Sequence, residues 1–305
     1  MDEPATPAQH PRPQDYALLH FIVLLWGFTA LLGMALAPLT PNEVVFWRTL
    51  AAAGAMWGLF GRRIASQPIA KRRLWAILGT GSLIAVHWWL FFLAARVGNV
   101  SSCLAGIATG SVWTALLEPV FDRRRIRWAD LASALVVCLG LLIIFAGQAD
   151  KAWGVAIGIA SALFSSLFGL CNRRFVQTGS DVFAISTLGL SGAFGTTAFM
   201  LPLSAWVGFQ PTLLPALPQG QAWLWLFLLS GVCTVFALTA SVALLRRFSA
   251  FSTSLAINME PVYGIIAARL LLGQTEAMTT AFDLGTAVIL LAVLGHPWLL
   301  ARQKA

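Results

Sequence analysis

Charged residues are scarce in this sequence: aspartate, glutamate, lysine and arginine together make up 10% of its 305 residues. In a soluble domain about a quarter of the residues are charged. Hydrophobic residues account for 58% of the chain. This composition excludes an ordinary soluble protein and leaves no room for a soluble catalytic domain.

Common catalytic and metal-binding motifs are also missing. There is no GxxxxGK[ST] phosphate-binding loop, which excludes ATP-driven transport within the chain, and no GxSxG or HExxH motif. The four cysteines stand singly in apolar stretches, without the CxxC spacing of a zinc site and without a disulfide framework. We therefore expect no metal, no cofactor and no enzymatic activity, and we expect the cysteines to be small packing residues.

Long apolar stretches fill the chain instead. One membrane-spanning helix needs about 20 apolar residues, and unpaired backbone groups cannot face lipid, so each span must be a helix. The period-two alternation of barrel strands is absent. Ten helices are predicted, over residues 17–37, 44–60, 74–95, 100–121, 128–146, 154–170, 182–207, 222–245, 251–272 and 277–300.

The basic residues mark one side of this predicted bundle. All but four of the 20 lysines and arginines fall in alternate gaps between the apolar stretches. The four exceptions are Arg48, Arg96, Lys151 and Arg269. Positively charged short loops stay in the cytoplasm, so both termini are expected there. The net charge of +8 comes from juxtamembrane clusters, which favour anionic lipid headgroups over nucleic acid as the partner.

The two halves of the chain have matching helix rhythms. Because each half has five helices, a duplicated half must insert upside down, which gives an inverted repeat with its site at the repeat interface. The predicted fold class is an all-α polytopic membrane protein of ten transmembrane helices in two inverted five-helix repeats, with both termini inside. The predicted boundaries are a cytoplasmic tail at 1–16, repeats at 17–147 and 152–300, and a tail at 301–305.

Two short patterns bear on helix packing and register. Leu117–Val120 resembles Met259–Val262, but the spacing of the helices pairs Glu260 with about Gly110, and we give the spacing more weight. GxxxG pairs allow close backbone approach between membrane helices. They occur at Gly54/Gly58, Gly106/Gly110 and Gly154/Gly158.

Four segments carry a family resemblance: Leu24–Phe28 in the first predicted helix, Asn42–Arg48 at the start of the second, Phe248–Val262 around the ninth, and Leu271–Glu276 after it. Together they resemble the EamA-type branch of the drug/metabolite transporter superfamily. The resemblance implies ten helices in inverted repeats and export of metabolites or amino acids across the bacterial inner membrane. Within the family, length and composition are similar to bacterial amino-acid exporters, including those for aromatic amino acids.

Polar groups inside the membrane are costly, so they are candidates for function. Glu260 is the preferred one, because Pro261 lacks an N–H and frees a carbonyl near position 257, beside Asn258. The alternative is a simple proline kink, with Glu260 bonded to a neighbouring helix or near the headgroups. The predicted substrate-binding residues are Trp26, His87, Trp88, Thr109, Trp113, Ser165, Asn258 and Glu260.

The other candidates each have a structural alternative. His87 is either a proton relay or a hydrogen-bonded core residue. Trp26, Trp88 and Trp113 either line a cavity or belong to the interfacial aromatic belt. Asp283 is expected to form a structural ion pair with Arg269, because intramembrane charges tend to pair.

The expected function is that of a secondary transporter exporting small metabolites, foremost amino acids, by alternating access. Its expected partners are a small-molecule substrate and membrane lipids, with no nucleic acid, and the chain is expected to be a monomer or weak dimer. The alternatives are a nucleotide-sugar or drug-type substrate, an intramembrane enzyme, a lipid-handling protein, and a channel. A channel needs repeated polar lining, which so few polar groups do not supply.

Overall fold

The computed structural model shows a helical membrane protein. Among the residues that the structure describes, seven helical stretches are long and apolar enough to cross a membrane, and Trp128–Ile143 and Ala287–His296 are shorter apolar helices. No strand occurs in the part of the chain that the structure describes. The count of ten spans and their orientation remain predictions. The described residues are 11–144, 152–207, 212–264, 266 and 280–302.

Several predicted spans consist of more than one helix. The π-helix Leu228–Phe236 lies between two α-helices of a single span, and a further helical turn covers 260–264. The α-helices are α1 Pro13–Gly27, α2 Thr29–Ala35, α3 Pro41–Ala65, α4 Lys71–Val97, α5 Val100–Ile107, α6 Gly110–Phe121, α7 Trp128–Ile144, α8 Ala152–Gln177, α9 Val182–Trp206, α10 Ala222–Phe227, α11 Ala237–Leu244, α12 Ala250–Ile257 and α13 Thr280–Arg302.

Helices α5 and α12 begin and end in the same way. The side chain of Asn99 accepts a hydrogen bond from the Ser102 amide at 2.7 Å, and that of Ser249 accepts one from the Ser252 amide at 2.9 Å. Such N-caps satisfy amides that have no partner within the helix. Both helices are eight residues long and end at a break. In this register Gly110 corresponds to Glu260, as the helix spacing predicts.

Side-chain hydroxyls stabilise two of these breaks. At the α1–α2 break Thr29 Oγ1 donates to the Trp26 carbonyl, and at the α5–α6 break Thr109 Oγ1 donates to the Gly106 carbonyl, each at 2.7 Å. Inside a membrane, carbonyls released from a helix need such partners. The prediction of continuous helices over 17–37, 100–121 and 251–272 is therefore wrong. The first is interrupted at Phe28, the second at Thr109 and the third at Asn258. The first helix also begins at Pro13, inside the predicted tail.

Close glycine contacts join α4 and α5 to α8. A Cβ on Gly106 would lie 2.7 Å from the Cα of Gly158, and one on Gly154 would lie 2.8 Å from the Cα of Gly98. We call these four residues the glycine seam. Such separations put backbones in direct contact and maximise dispersion attraction where lipid offers no hydrophobic drive. Gly54 and Gly58 face open space instead, so this predicted GxxxG pair does not pack against the described residues.

The other side of the bundle consists of interrupted helices. Here α1–α2, the π-helix and the α12 break lie together, and α1 approaches the turn after α12 at Gly27 and Gly264. A Cβ on Gly27 would lie 3.0 Å from the amide nitrogen of Gly264. We call this the broken-helix side. The predicted Arg269–Asp283 ion pair falls on side chains outside the described part.

Candidate functional site

A cavity of about 130 Å³ lies between α8 and the broken-helix side. Towards one end it reaches Leu245 and Ala250, which flank the Arg246–Arg247 pair. Towards the other end it stops at Thr29, Arg48 and Phe91, which lie inside the membrane spans 13–35, 41–65 and 71–97. The cavity therefore runs from the middle of the bundle towards the end that carries the clustered basic residues, which we call the basic end.

Arg48 supplies a buried cation to the cavity. Its side chain is 2% exposed, its Nε donates to Thr234 Oγ1 at 2.8 Å, and its guanidinium lies over the Trp88 ring, 3.8 Å from the ring centroid. Thr234 belongs to the π-helix, so the irregular helix orients the arginine. No carboxylate of the described residues lies within 4.0 Å of this guanidinium. A buried ion without a close counter-ion is costly.

Glu260 faces the same cavity from the first residue after the α12 break and is 6% exposed. It interacts electrostatically with Arg48 without forming an ion pair. Asn258, at the break itself, is 2% exposed, and its Nδ2 finds no hydrogen-bond partner among the described residues. A cation, an acid and an unsatisfied amide donor therefore share one cavity wall.

The structure places six of the eight predicted residues on the cavity: Trp26, His87, Trp88, Ser165, Asn258 and Glu260. Two of them have hydrogen bonds to neighbouring helices. The indole N–H of Trp26 donates to the Cys233 carbonyl at 3.1 Å, and His87 Nδ1 lies 2.9 Å from Ser161 Oγ. His87 thus links α4 to α8, and Trp26 links α1 to the π-helix.

Thr109 and Trp113 do not line the cavity. Thr109 bonds to the Gly106 carbonyl at the break. The residues of α6 that line the cavity are Gly110 and Thr114, which are four residues apart. Trp113 is absent from the cavity lining. It is rotated by about 100° from Thr114, which places it at the edge of that face, and its Nε1 is buried without a partner among the described residues.

Sequence reasoning missed several polar residues of the cavity, notably Arg48 and Asn172. Arg48 was assigned to the less basic side because it follows Pro41 closely, although it stands within an apolar helix, and that position was the available signal. Asn172 directly precedes the Arg173–Arg174 pair and reads as part of a surface cluster. The missed polar lining residues are Thr29, Arg48, Asn172, Ser241, Thr253 and Ser254.

Ion pairs and one backbone hydrogen bond hold helices together beside the basic end of the cavity. Glu118 is fully buried, and its Oε1 accepts a hydrogen bond from the Ala250 amide at 3.0 Å. The same carboxylate pairs with Arg124 at 3.1 Å and Arg173 at 3.2 Å, and Arg173 also pairs with Asp122 at 2.7 Å. Glu118 therefore ties α6 to α8 and to the start of α12.

Different contacts close the opposite end. Arg96 Nη2 donates to the Leu39 carbonyl at 2.7 Å, which fastens α4 to the turn between α2 and α3. Glu43 Oε1 accepts from the Ala216 amide at 2.8 Å, and Trp47 Nε1 donates to the Ala216 carbonyl at 2.8 Å. The segment before α10 is thereby held over α3.

Comparison with known proteins agrees with this architecture. A solved structure, described as "Crystal structure of protein", matches with a TM-score of 0.73 and 17% identity and covers 96% of this chain and 99% of that chain. At that identity the likeness shows the fold alone. Among curated proteins, none matches the chain significantly. The model of the EamA-like transporter family matches twice, over residues 16–146 and 152–296. The chain therefore belongs to the EamA-like transporter family.

Proposed function

We propose that this member of a family of small-substrate membrane transporters is a secondary transporter that exports small zwitterionic metabolites, foremost amino acids, by alternating access across the bacterial inner membrane. The observation that carries the proposal is the buried guanidinium of Arg48, which has no close carboxylate and shares its cavity with Glu260.

The polar groups of the cavity complement an α-amino acid. Its carboxylate accepts from the Arg48 guanidinium and from Asn258 Nδ2, and its ammonium group pairs with the Glu260 carboxylate. Charge-assisted hydrogen bonds of this kind are about twice as strong as neutral ones. A zwitterion thus gives each buried charge a close partner, whereas a neutral apolar molecule leaves both without one.

The shape of the cavity fits one stage of a transport cycle. It reaches the basic end and is closed at the other. With the basic end in the cytoplasm, as the charge distribution predicts, the site is open to cytoplasmic substrate. Export then requires the basic end to close and the contacts of Arg96 and Glu43 to separate. Because the chain has no nucleotide-binding motif, a substrate or ion gradient drives this cycle.

Transport by purified protein in proteoliposomes tests the proposal. The probes are radiolabelled alanine, threonine, leucine, phenylalanine and tryptophan, each measured in counterflow with the unlabelled amino acid inside. Saturable counterflow of at least one amino acid is expected. Ionic conductance would point to a channel, and conversion of the probe would point to an enzyme. The absence of both flux and binding for all five amino acids would contradict the proposal.

Paired variants test the site itself. Trp88→Leu removes the ring beneath Arg48 and is expected to lower the apparent affinity about 10-fold, as the loss of about 1.4 kcal/mol does. Trp113→Leu changes the same residue type in a helix that also borders the cavity but at a position outside it, and should leave the apparent affinity within about twofold. Both variants are checked for wild-type thermal stability, and equal affinities in the two would remove Trp88 from the site.

A further inference from the structure

Asn172 is a buried polar residue of the cavity that the zwitterion site leaves unused. It lies on α8, is 2% exposed, and its Oδ1 has no hydrogen-bond partner among the described residues. A buried acceptor without a partner is destabilising, because it has given up its hydrogen bond to water. Such a group inside a substrate cavity marks a place where a substrate atom supplies the missing hydrogen bond.

Helix geometry separates Asn172 from the zwitterion site. Ala162, Ser166, Gly169 and Asn172 recur at helical spacing along one face of α8 and all line the cavity. Ser166 Oγ donates to the Gly110 carbonyl at 3.0 Å, at the level of the α5–α6 break. With a rise of 1.5 Å per residue, Asn172 lies roughly 9 Å farther towards the basic end. That distance is about the reach of an extended amino-acid side chain.

Space is available beside Asn172. Gly169 lies one turn earlier on the same face, and a Cβ built on it meets no atom within 4 Å. The cavity lining includes the apolar side chains of Phe168, Val242 and Leu245 as well as Ser241, whose hydroxyl donates to the Leu238 carbonyl. An acceptor without a partner beside apolar side chains suits a hydrophobic or aromatic group that carries one hydrogen-bond donor.

We propose that Asn172 and the gap at Gly169 form a side-chain subsite that favours substrates with a hydrogen-bond donor at the distal end, such as a hydroxyl or an indole N–H. This inference rests on the proposed function and adds a specificity determinant to it. The α-carboxylate and α-ammonium groups bind at Arg48 and Glu260, and Asn172 accepts from the side chain.

Matched amino-acid pairs test the subsite. Tyrosine and phenylalanine differ by one hydroxyl at the distal end of the side chain, and tryptophan and 3-benzothienylalanine are nearly isosteric but only the indole carries a donor. Inhibition of counterflow by each is measured in the wild type and in Asn172→Leu. The wild type is expected to favour at least one donor-bearing member, and Asn172→Leu is expected to lower that preference about 5- to 10-fold, the value of one buried hydrogen bond. Cys171→Ala, at a neighbouring position outside the cavity lining, should keep the wild-type preference.

A second variant keeps the test independent of folding defects at Asn172. Gly169→Leu extends a side chain into the gap from a Cβ that meets no atom within 4 Å, so it should lower the affinity for tryptophan and phenylalanine several-fold relative to alanine. Equal preference within each pair in wild type and Asn172→Leu, with amino-acid transport intact, would overturn the subsite while the proposed function stands. An unchanged affinity for tryptophan and phenylalanine relative to alanine in Gly169→Leu would also overturn the subsite and leave the proposed function standing. If no amino acid binds, both proposals fail.

Discussion

Two sides of this bundle face the same cavity but are built differently. On the side of the bundle that contains the glycine seam, α8 is a continuous helix of 26 residues. Its backbone contacts α4 and α5 through Gly98, Gly106 and Gly158. On the broken-helix side, the corresponding span 13–35 is split at Phe28 and lies against a π-helix. Close backbone packing resists movement, whereas breaks and π-helices accompany functional sites.

The difference assigns roles to the two sides. Helix α8, which the glycine seam holds in place, supplies one cavity wall with Ser165, Ser166 and Asn172. The broken-helix side supplies Arg48's partner Thr234 as well as Asn258 and Glu260, at positions where the chain is irregular. We interpret the glycine seam as the rigid wall and the broken-helix side as the part that moves in transport.

The largest expected effect comes from filling the glycine seam. Gly106→Ala places a methyl group 2.5 Å from the Val155 carbonyl oxygen and 2.7 Å from Gly158, and because these neighbours are backbone they cannot yield cheaply. We expect a loss of about 1–3 kcal/mol in the free energy of unfolding, measured by thermal unfolding in detergent. Gly54→Ala, which meets no atom within 4 Å, is the control and should not be destabilised. Equal free energies of unfolding for Gly106→Ala and Gly54→Ala would mean that the glycine seam does not contribute to stability.

Loosening the closed end should change access. Arg96→Leu removes the hydrogen bonds to the Ala37 and Leu39 carbonyls, which we expect to weaken closure by about 1 kcal/mol, near the value of one net hydrogen bond. Labelling of a Phe91→Cys reporter by an impermeant maleimide from the non-basic side should rise about fivefold. Arg72→Leu at the basic end serves as control, and an unchanged rate in Arg96→Leu would mean that this contact does not close the cavity.

Removing the π-helix partner of Arg48 should have a smaller effect. Thr234→Val keeps the shape of the side chain but deletes the hydroxyl that accepts from Arg48 Nε. Apparent affinity in counterflow is expected to fall about threefold, corresponding to about 0.6 kcal/mol. Thr239→Val changes a threonine of the next helix, outside the cavity lining, and should not alter the affinity. Equal apparent affinities in Thr234→Val and Thr239→Val would mean that the π-helix does not contribute to substrate binding.

The smallest effect on stability is expected at Gly27. A Cβ there would lie 3.0 Å from the Gly264 amide nitrogen and 3.2 Å from the Glu260 carbonyl oxygen, so a shift of a few tenths of an ångström relieves the contact. Gly27→Ala should therefore cost under about 1 kcal/mol, less than Gly106→Ala, while slowing counterflow because the same contact adjoins Glu260. A larger stability loss than that of Gly106→Ala would reverse the assignment of rigid and movable sides.

Sequence reasoning located most spans, because apolar length and loop charge are averages over many residues. It did not locate the breaks at Phe28 and Thr109, whereas Pro261 pointed to the one at Asn258. The break after α5 needs no proline, since it depends on whether a neighbouring hydroxyl can take over a released carbonyl. The π-helix 228–236 likewise has no signal in the apolar pattern. Such features depend on tertiary contacts that composition does not contain.

The site was predictable where a residue type is rare inside a membrane. Glu260, Asn258 and His87 stood out for that reason. Arg48 did not, because an arginine at the fifth position of the predicted helix 44–60 reads as a charge near the membrane surface, and its burial depends on Trp88 and Thr234 from two other spans. Trp113 shows the converse error: its helix borders the cavity, but Trp113 itself does not line it.

The most direct test asks whether Arg48 holds the substrate carboxylate. The amino acid with the tightest counterflow is compared with its carboxamide, which keeps the ammonium group but has no anionic end. Wild-type protein should favour the free acid by about 10- to 100-fold, the value of a hydrogen bond to a charged group, and Arg48→Gln should reduce this ratio to near one. A ratio that stays at the wild-type value in Arg48→Gln, with thermal stability preserved, would contradict the proposed site.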